Sequence, residues 1–330
     1  MSGTDVLIIG GGISGLLCAT ELKRAGMSVR VVDKGRGVGG RMATRRMAGG
    51  RLDHGAQFFT VRDERYQAYV DTWLKAGVVD EWFRHSPEDS NPEGYSRYRG
   101  MRGMAAVPKY LARELDVIVD ERITEVSRDI DVWVARSESG GMYAADYLVV
   151  TAPLPQALTL LDTAGINYAG EDEGRLRKVR YAKGLATLAI LDGPSAIPEE
   201  GYVKVLQSPL SWIADNRLKG ISDGVSAITI HADAEFAVKH WHASDALRGK
   251  LMLEAAKDWL GSSVLEYRCH RWGFTTPLNP WHEKQYSNAA LKLTLAGDAF
   301  GGARVEGAAL SGIEAASAVL QNCGMSLRGS

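Results

Sequence analysis

Cysteine is scarce. Only Cys18, Cys269 and Cys323 occur in 330 residues, far apart and with no CxxC or Cys/His spacing. That pattern excludes a disulfide framework, a zinc site and a redox-active dithiol, and it predicts a reducing, cytoplasmic setting with no bound metal. An excess of charge is missing too: 39 Lys and Arg against 40 Asp and Glu leave a net charge of −1. No bulk field draws the chain to nucleic acid or to an anionic membrane, so any cationic site has to be local. Long apolar runs are also lacking. The first one, LIIGGGISGLLCA (residues 7–19), is broken by four glycines and has no basic segment before it, unlike a leader peptide or a membrane span. There is no internal repeat, no low-complexity tract and no second copy of the glycine fingerprint described next. A reductase holding FAD and NADPH in two Rossmann domains is therefore not expected.

What the sequence does have is a βαβ opening. Asp5 to Ile9 reads as a buried parallel strand, Ile13 to Ala25 as a helix, and Ser28 to Val32 as a second strand. Gly10, Gly12 and Gly15 form GxGxxG between the first strand and the helix, with Ser14 inside the motif and Asp33 closing the second strand. In that context the glycines permit a tight turn, let backbone approach a pyrophosphate and let helix pack on strand, while the acid reaches the adenosine ribose. Immediately afterwards DKGRGVGGRMATRR (residues 33–46) places four glycines and four arginines together. Interior glycines cost backbone order. Their clustering predicts a second wall beneath the pyrophosphate, with Gly40 in the turn and Arg41 supplying a charge-assisted contact, while Arg45 and Arg46 read as surface residues. Near the end, Gly297-Asp298 precedes a helix from Val305. The carboxylate can meet ribityl hydroxyls, and the positive end of the helix can face a flavin pyrimidine ring. Three remote segments thus describe FAD.

Between these segments, residues 117–137 read as two or three strands in meander and Asp146 begins another strand. Residues 184–272 read as a largely antiparallel second unit carrying strands, a helix around Ser244 to Leu260, and Trp212, Trp241, Trp259 and Trp272. The expected fold is α/β (α+β): a Rossmann-like FAD-binding domain and a second, largely antiparallel β-sheet-plus-helix substrate domain. The expected FAD-binding segments are 1–62, 101–155 and 286–330, and the substrate segments are 63–100 and 156–285.

The glycine fingerprint, the acid, the RxGGR-like loop and the terminal GD-plus-helix resemble the flavin amine oxidase superfamily. Gly37 stands where the first arginine of RxGGR would be, with Arg36 one place earlier. Together with LDHGAQFFT (52–60), GMRGM (100–104), PLSWIADN (209–216), ITIH (228–231), HRW (270–272) and GDAFGGARVEGAALSG (297–312), the pattern is similar to the bacterial renalases over nearly the whole chain.

That resemblance implies an FAD-dependent oxidase converting misreduced 2- or 6-dihydro isomers of NAD(P) to β-NAD(P)+, with hydride passing to the flavin and then O2 reduced to H2O2. It implies FAD contacts at Ile13, Asp33, Lys34, Arg41, Gln57, Phe58, Ile123, Asp298 and Val305. It also implies a substrate ring surrounded by Gln57, Phe58, Phe59, Thr60, Val61, Tyr98, Asn216, His231 and Gly302. Asn216 and His231 are the candidates to hold the carboxamide or orient the ring. Arg97 and Arg99, with Arg102, are candidates to meet the phosphates of a dinucleotide. An amine oxidase or a desaturase of the same fold is the alternative and would need an aromatic or apolar cage; a non-catalytic FAD-binding module is the remaining one.

Overall fold

The computed structural model describes residues 4–84 and 94–325; the parts of the expected domain segments at 1–3, 85–93 and 326–330 lie outside them. The strands in chain order are β1 (Thr4–Ile9), β2 (Val29–Val32), β3 (Thr44–Met47), β4 (Gly50–Asp53), β5 (Val79–Phe83), β6 (Arg97–Gly100), β7 (Asp116–Ile118), β8 (Ile123–Asp129), β9 (Val132–Ser137), β10 (Met142–Val150), β11 (Gly184–Leu191), β12 (Tyr202–Lys204), β13 (Leu210–Asp215), β14 (Ala227–Ala232), β15 (Val264–Trp272), β16 (Tyr286–Asn288) and β17 (Leu293–Leu295).

β1 is buried along its last four residues, and its neighbours β2 and β10 run parallel to it. Continuous apolar runs such as VLII and YLVV have to be covered on both faces, which is what a central parallel strand requires. The sheet order β16-β17-β10-β1-β2-β7 places β1 at the centre, with β8 and β9 attached as an antiparallel meander on β10. The first helix, Ile13–Arg24, and the last, Val305–Asn322, pack together on one face. The other face carries the helix Leu154–Asp162.

A second sheet, β12-β13-β14-β11-β15, is antiparallel throughout. Side chains alternate between the faces of a strand. Here Leu185, Ala189, Leu191, Ile213, Ile228 and Ile230 meet the helices Ala234–Lys239, Asp245–Ala255 and Lys257–Leu260. The alternate residues Leu188, Ile190 and Ala227 meet Met47 and Leu52 of the β3–β4 hairpin. The hairpin thereby couples the two sheets, and the seam beside it holds the candidate site. The helix expected around Ser244 to Leu260 is divided at Ala256, and the strand before Gly297 is only three residues long, starting after Lys292, which has positive φ.

Small residues line one face of the last helix because that helix touches backbone. A Cβ on Gly312 would lie 2.1 Å from the Ser14 carbonyl oxygen. Replacing Gly312 with Ala is expected to push the two helices apart, at a cost of about 1–3 kcal/mol. The thermal midpoint should fall by several degrees and flavin retention should drop, measured by thermal unfolding and by protein-bound visible absorbance. Gly174→Ala, at a helical position where a Cβ would meet nothing within 4 Å, should leave both unchanged.

Candidate active site

The cofactor half of the site is built where β1 ends. The Asp33 carboxylate accepts from the Gly11 N–H (2.6 Å) and the Gly35 N–H (2.6 Å), clamping the fingerprint turn to the end of β2. The Gly39 N–H donates to the Gly11 carbonyl (2.8 Å), so the loop of residues 35–41 lies against that turn as a second layer. Gly40, at φ +52°, turns this layer into a short 3-10 segment ending in Met42. Ile123 begins β8 close by: Asp120 and Glu121 donate their backbone N–H groups to the carbonyls of Gly35 and Asp33. Lys34 donates to the Gln156 side chain (3.1 Å), and burial lowers its pKa from the ordinary lysine value.

Whether these residues suit FAD is tested by what they leave unsatisfied. The hydroxyl of Ser14, 4% exposed, has no hydrogen-bond partner among the described residues. A Cβ on Gly12 would meet nothing within 4 Å, whereas Gly10 and Gly15 are hemmed in by protein. An open backbone face beside a buried hydroxyl at the start of a twelve-residue helix is the donor set a pyrophosphate needs. The residues fit the cofactor.

Arg41 and Asp298 meet. The guanidinium forks onto the carboxylate through Nη1–Oδ2 and Nη2–Oδ1 (2.7 Å), and Arg41 Nη1 also donates to the Thr275 carbonyl (2.9 Å). Burial opposes the charge on Arg41, but the Asp298 hydrogen bonds outweigh it and hold the guanidinium pKa above its ordinary value. The Tyr181 hydroxyl donates to Asp298 as well (3.0 Å). The glycine-rich loop and the terminal GD turn, expected to contact different parts of FAD, are thus tied to one another. Val305 opens the last helix, and the next residue, buried Glu306, accepts from the backbone N–H groups of Arg62 and Asp63. Gly302, at φ +99°, closes the turn between Asp298 and that helix.

The substrate half rests on Asp53, which the sequence reading did not single out. Its carboxylate accepts from Thr44 Oγ1 (2.6 Å), the Met104 N–H (2.9 Å) and Lys219 Nζ (2.7 Å), and both members of the Lys219 pair are fully buried. Its carbonyl accepts from Gln57 Nε2 (2.6 Å) and Thr229 Oγ1 (3.0 Å). Asn216 was expected to touch substrate. It is instead fully buried: its Nδ2 donates to the Ala227 carbonyl (2.8 Å) and Thr229 Oγ1 (3.0 Å), and its Oδ1 accepts from the Asp53 N–H (3.3 Å). Every polar atom of its amide is used internally, which makes Asn216 a positioning residue.

Residues 57–61 divide. Gln57 is buried with its Oε1 unpartnered among the described residues. Phe58 joins a wall with Trp212 (5.7 Å between ring centroids), Phe83 (5.7 Å) and Trp82 (6.5 Å), and the Arg97 guanidinium lies over its ring. Phe59 turns the other way. It is 2% exposed and packs on Tyr98, Tyr66 and Trp73 in the core, so its ring is not a substrate contact, nor is the face of Tyr98 stacked on it. Thr60 and Val61 are half-buried, Val61 against the same core as Phe59. Arg99 is drawn inward, with its Nη2 3.5 Å from Asp80 and its guanidinium against Gly220, so it does not sit on an entrance rim; Arg102 is exposed.

His231 lies in a row across the second sheet. Cross-strand pairing sets Trp212, His231, Ala186 and His270 side by side on the face turned to the hairpin. The small side chain of Ala186 leaves room for His54, whose ring stands 4.9 Å from His270 and 5.1 Å from Trp272. Trp272 Nε1 donates to the His54 carbonyl (2.8 Å). His54, His270 and Trp272 lie in motifs visible in the sequence, LDHG and HRW, but only the strand register reveals that they meet. Burial, then the neighbouring His270 and Arg45, pull the His54 pKa down to about 3, and burial pulls His231 down to about 4. These imidazoles are neutral. Among the described residues, no group of three or more His, Cys, Asp or Glu side chains is placed to hold a metal ion, and no helix is long and apolar enough to cross a membrane.

Comparison with known proteins matches this geometry. The family model for flavin-containing amine oxidoreductases covers residues 88–320, and that for NAD(P)-binding Rossmann-like domains covers residues 8–73. The chain belongs to the flavin-containing amine oxidoreductase family; it is an FAD-dependent oxidoreductase. Its fold is similar to cyclohexylamine oxidase from Brevibacterium oxydans IH-35A (TM-score 0.74, 12% identity, 98% of this chain and 100% of that one). It is also similar to putrescine oxidase (TM-score 0.71, 14% identity, 97% and 99%). In sequence it is 39% identical over 71 residues to a carotenoid 3,4-desaturase of Haloarcula japonica, a stretch covering 21% of this chain and 14% of that protein.

Neutral buried histidines make stability depend on pH. Their folded pKa values lie below the ordinary value near 6.5, so the unfolded chain binds more protons between that value and about 4. Their contribution is complete above about pH 6.5 and is lost as the pH falls. Urea unfolding across this window should show stability decreasing toward acid, and His54→Asn with His231→Asn should flatten that dependence.

Proposed function

We propose that the protein is an FAD-dependent oxidase of misreduced 2- or 6-dihydro isomers of NAD(P), returning them to β-NAD(P)+. The observation that supports this reading most is the set of polar atoms left without partners beside the Phe58 wall. Gln57 Oε1 is an acceptor, Trp212 Nε1 a donor, and His231 Nε2 belongs to a neutral imidazole. Acceptor and donor together on an aromatic wall complement a primary carboxamide on a planar ring.

The charges point the same way. An ammonium substrate would be favoured by a carboxylate facing it, but Asp53, Asp298 and Glu306 are all engaged with protein donors. Lys219 is likewise spent on Asp53, which leaves Arg45 and Arg97, the latter over the Phe58 ring, as the cations around the seam that suit a substrate bearing phosphates.

In this reading Gly10, Gly12, Ile13, Ser14, Gly15, Asp33, Lys34, Gly40, Arg41, Gln57, Phe58, Ile123, Asp298 and Val305 hold FAD. Phe58, Thr60, Val61 and Gly302 line the ring site, and His231 orients the carboxamide. FAD supplies a two-electron acceptor that takes the hydride and is reoxidised by O2, forming H2O2. A dihydropyridine gives up hydride and becomes the aromatic pyridinium without transferring a proton to the protein, so the chain's task is to position the ring and exclude water. The segments 1–62, 101–155 and 286–330 serve the cofactor, and 63–100 and 156–285 the substrate.

A second reading, an amine oxidase, draws on the extent of the aromatic wall. Tyr202 stacks on Trp212 (4.7 Å, 4°) and on Phe83 (4.3 Å, 22°). The two readings separate in an anaerobic mixing experiment. Dihydro-NAD and dihydro-NADP isomers are expected to bleach the flavin absorbance, and primary amines to leave it unchanged; bleaching by amines alone overturns the first reading.

A further inference from the structure

Among the described residues, Arg45 is a cation near the seam whose charge the fold leaves unused. It lies on β3 opposite Leu52, on the hairpin face that also carries Met47 and packs against the second sheet. The side chain is half-buried, and among the described residues it makes no hydrogen bond or ion pair. The other seam cations are engaged: Lys219 with Asp53, Arg41 with Asp298, and Arg97 with the carbonyls of Arg84 and Tyr95. A half-buried guanidinium loses hydration without regaining it from protein acceptors, an arrangement that is favourable when an anion completes it.

The surroundings are shaped for the same guest. Arg45 pairs with Leu52, two residues before His54, so Arg45 and His54 lie toward the same face of the hairpin, and the His54 ring in turn stands 4.9 Å from His270; the charge of Arg45 helps to lower the pKa of both histidines. His54 Nδ1 is buried and unpartnered among the described residues, in a side chain 6% exposed. His270 and Trp272 pack against the His54 ring. The five-donor fork of Arg45 matches the oxygens of a phosphate better than it matches a flat apolar group.

We propose that Arg45, flanked by His54 and His270, forms an anion subsite that binds a phosphate oxygen of the dinucleotide substrate, so that Arg45 sets the affinity for phosphate-bearing donors. The identity of the anion rests on the proposed function above; the existence of the anion subsite does not.

The test uses the FAD-loaded enzyme and Arg45→Gln, with two donors: a dihydro-NADP isomer, and the phosphate-free N-benzyl analogue of the same dihydropyridine. In Arg45→Gln the concentration giving half-maximal flavin reduction is expected to rise about tenfold for the dinucleotide, the loss of one charge-assisted contact. The limiting reduction rate and the behaviour of the N-benzyl donor should be unchanged. Arg45→Lys, which retains charge without the fork, should fall between the two. Equal effects on both donors, or none on either, overturn the proposal. Retained FAD in Arg45→Gln is expected; its loss would assign the anion to the cofactor and overturn the proposal as well.

A second measurement is independent of turnover. Inorganic pyrophosphate titrated into the holoenzyme and followed by tryptophan fluorescence should bind wild type about tenfold more tightly than Arg45→Gln. Equal affinity contradicts the subsite. If no dihydropyridine reduces wild-type flavin, the proposed function falls, and the pyrophosphate titration alone decides on Arg45.

Discussion

The buried Asp53–Lys219 pair organises the seam that holds the candidate site. Taking both charges out of water is expensive, and only a full set of partners offsets it. Asp53 has that set: a hydroxyl from β3, a backbone N–H from the helix start near Met104, and the ammonium of Lys219. Its own backbone holds Gln57, Thr229 and Asn216. Groups distant in sequence thus converge on one residue at the end of the hairpin. The segment leaving Asp53 has little freedom, and that segment carries His54, Gln57 and Phe58 into the seam.

The same economy of charge recurs around the site. Asp33 is spent on two backbone N–H groups, Asp298 on Arg41 and Tyr181, and Glu306 on the backbone at residues 62 and 63. Each carboxylate ties one loop of the site to another. The polar groups that remain are neutral amide, indole and imidazole atoms together with the guanidinium of Arg45. Such a site accords with the proposed substrate, a planar, polar molecule bearing phosphates. The proposed hydride chemistry would need no ionising base, and three imidazoles held below their ordinary pKa accord with that.

The cofactor half was legible in the sequence because its signals are local. A strand, a glycine turn, a helix and an acid within thirty residues carry their own geometry, and β1, the first helix and β2 form within a residue or two of the expected limits. The substrate half depends on register and burial, which are not local. Adjacent residues Phe58 and Phe59 go to opposite sides, one to the wall and one to the core, although both stand in the same motif. Asn216 reads as a polar residue at a strand end and becomes an interior strut once β13 and β14 pair. Lys219 has no sequence signature that separates it from a surface lysine; its partner lies 166 residues away. Arg45 reads as surface charge until the hairpin face on which it stands is known.

The claim that Asp53 and Lys219 act as one buried unit is tested most directly by a double-mutant cycle in urea unfolding. Asp53→Asn and Lys219→Met should each cost about 3–5 kcal/mol by leaving the other group buried without its counterpart. The double variant should cost clearly less than the sum of the two. Strict additivity, with no coupling beyond about 0.5 kcal/mol, would contradict the account.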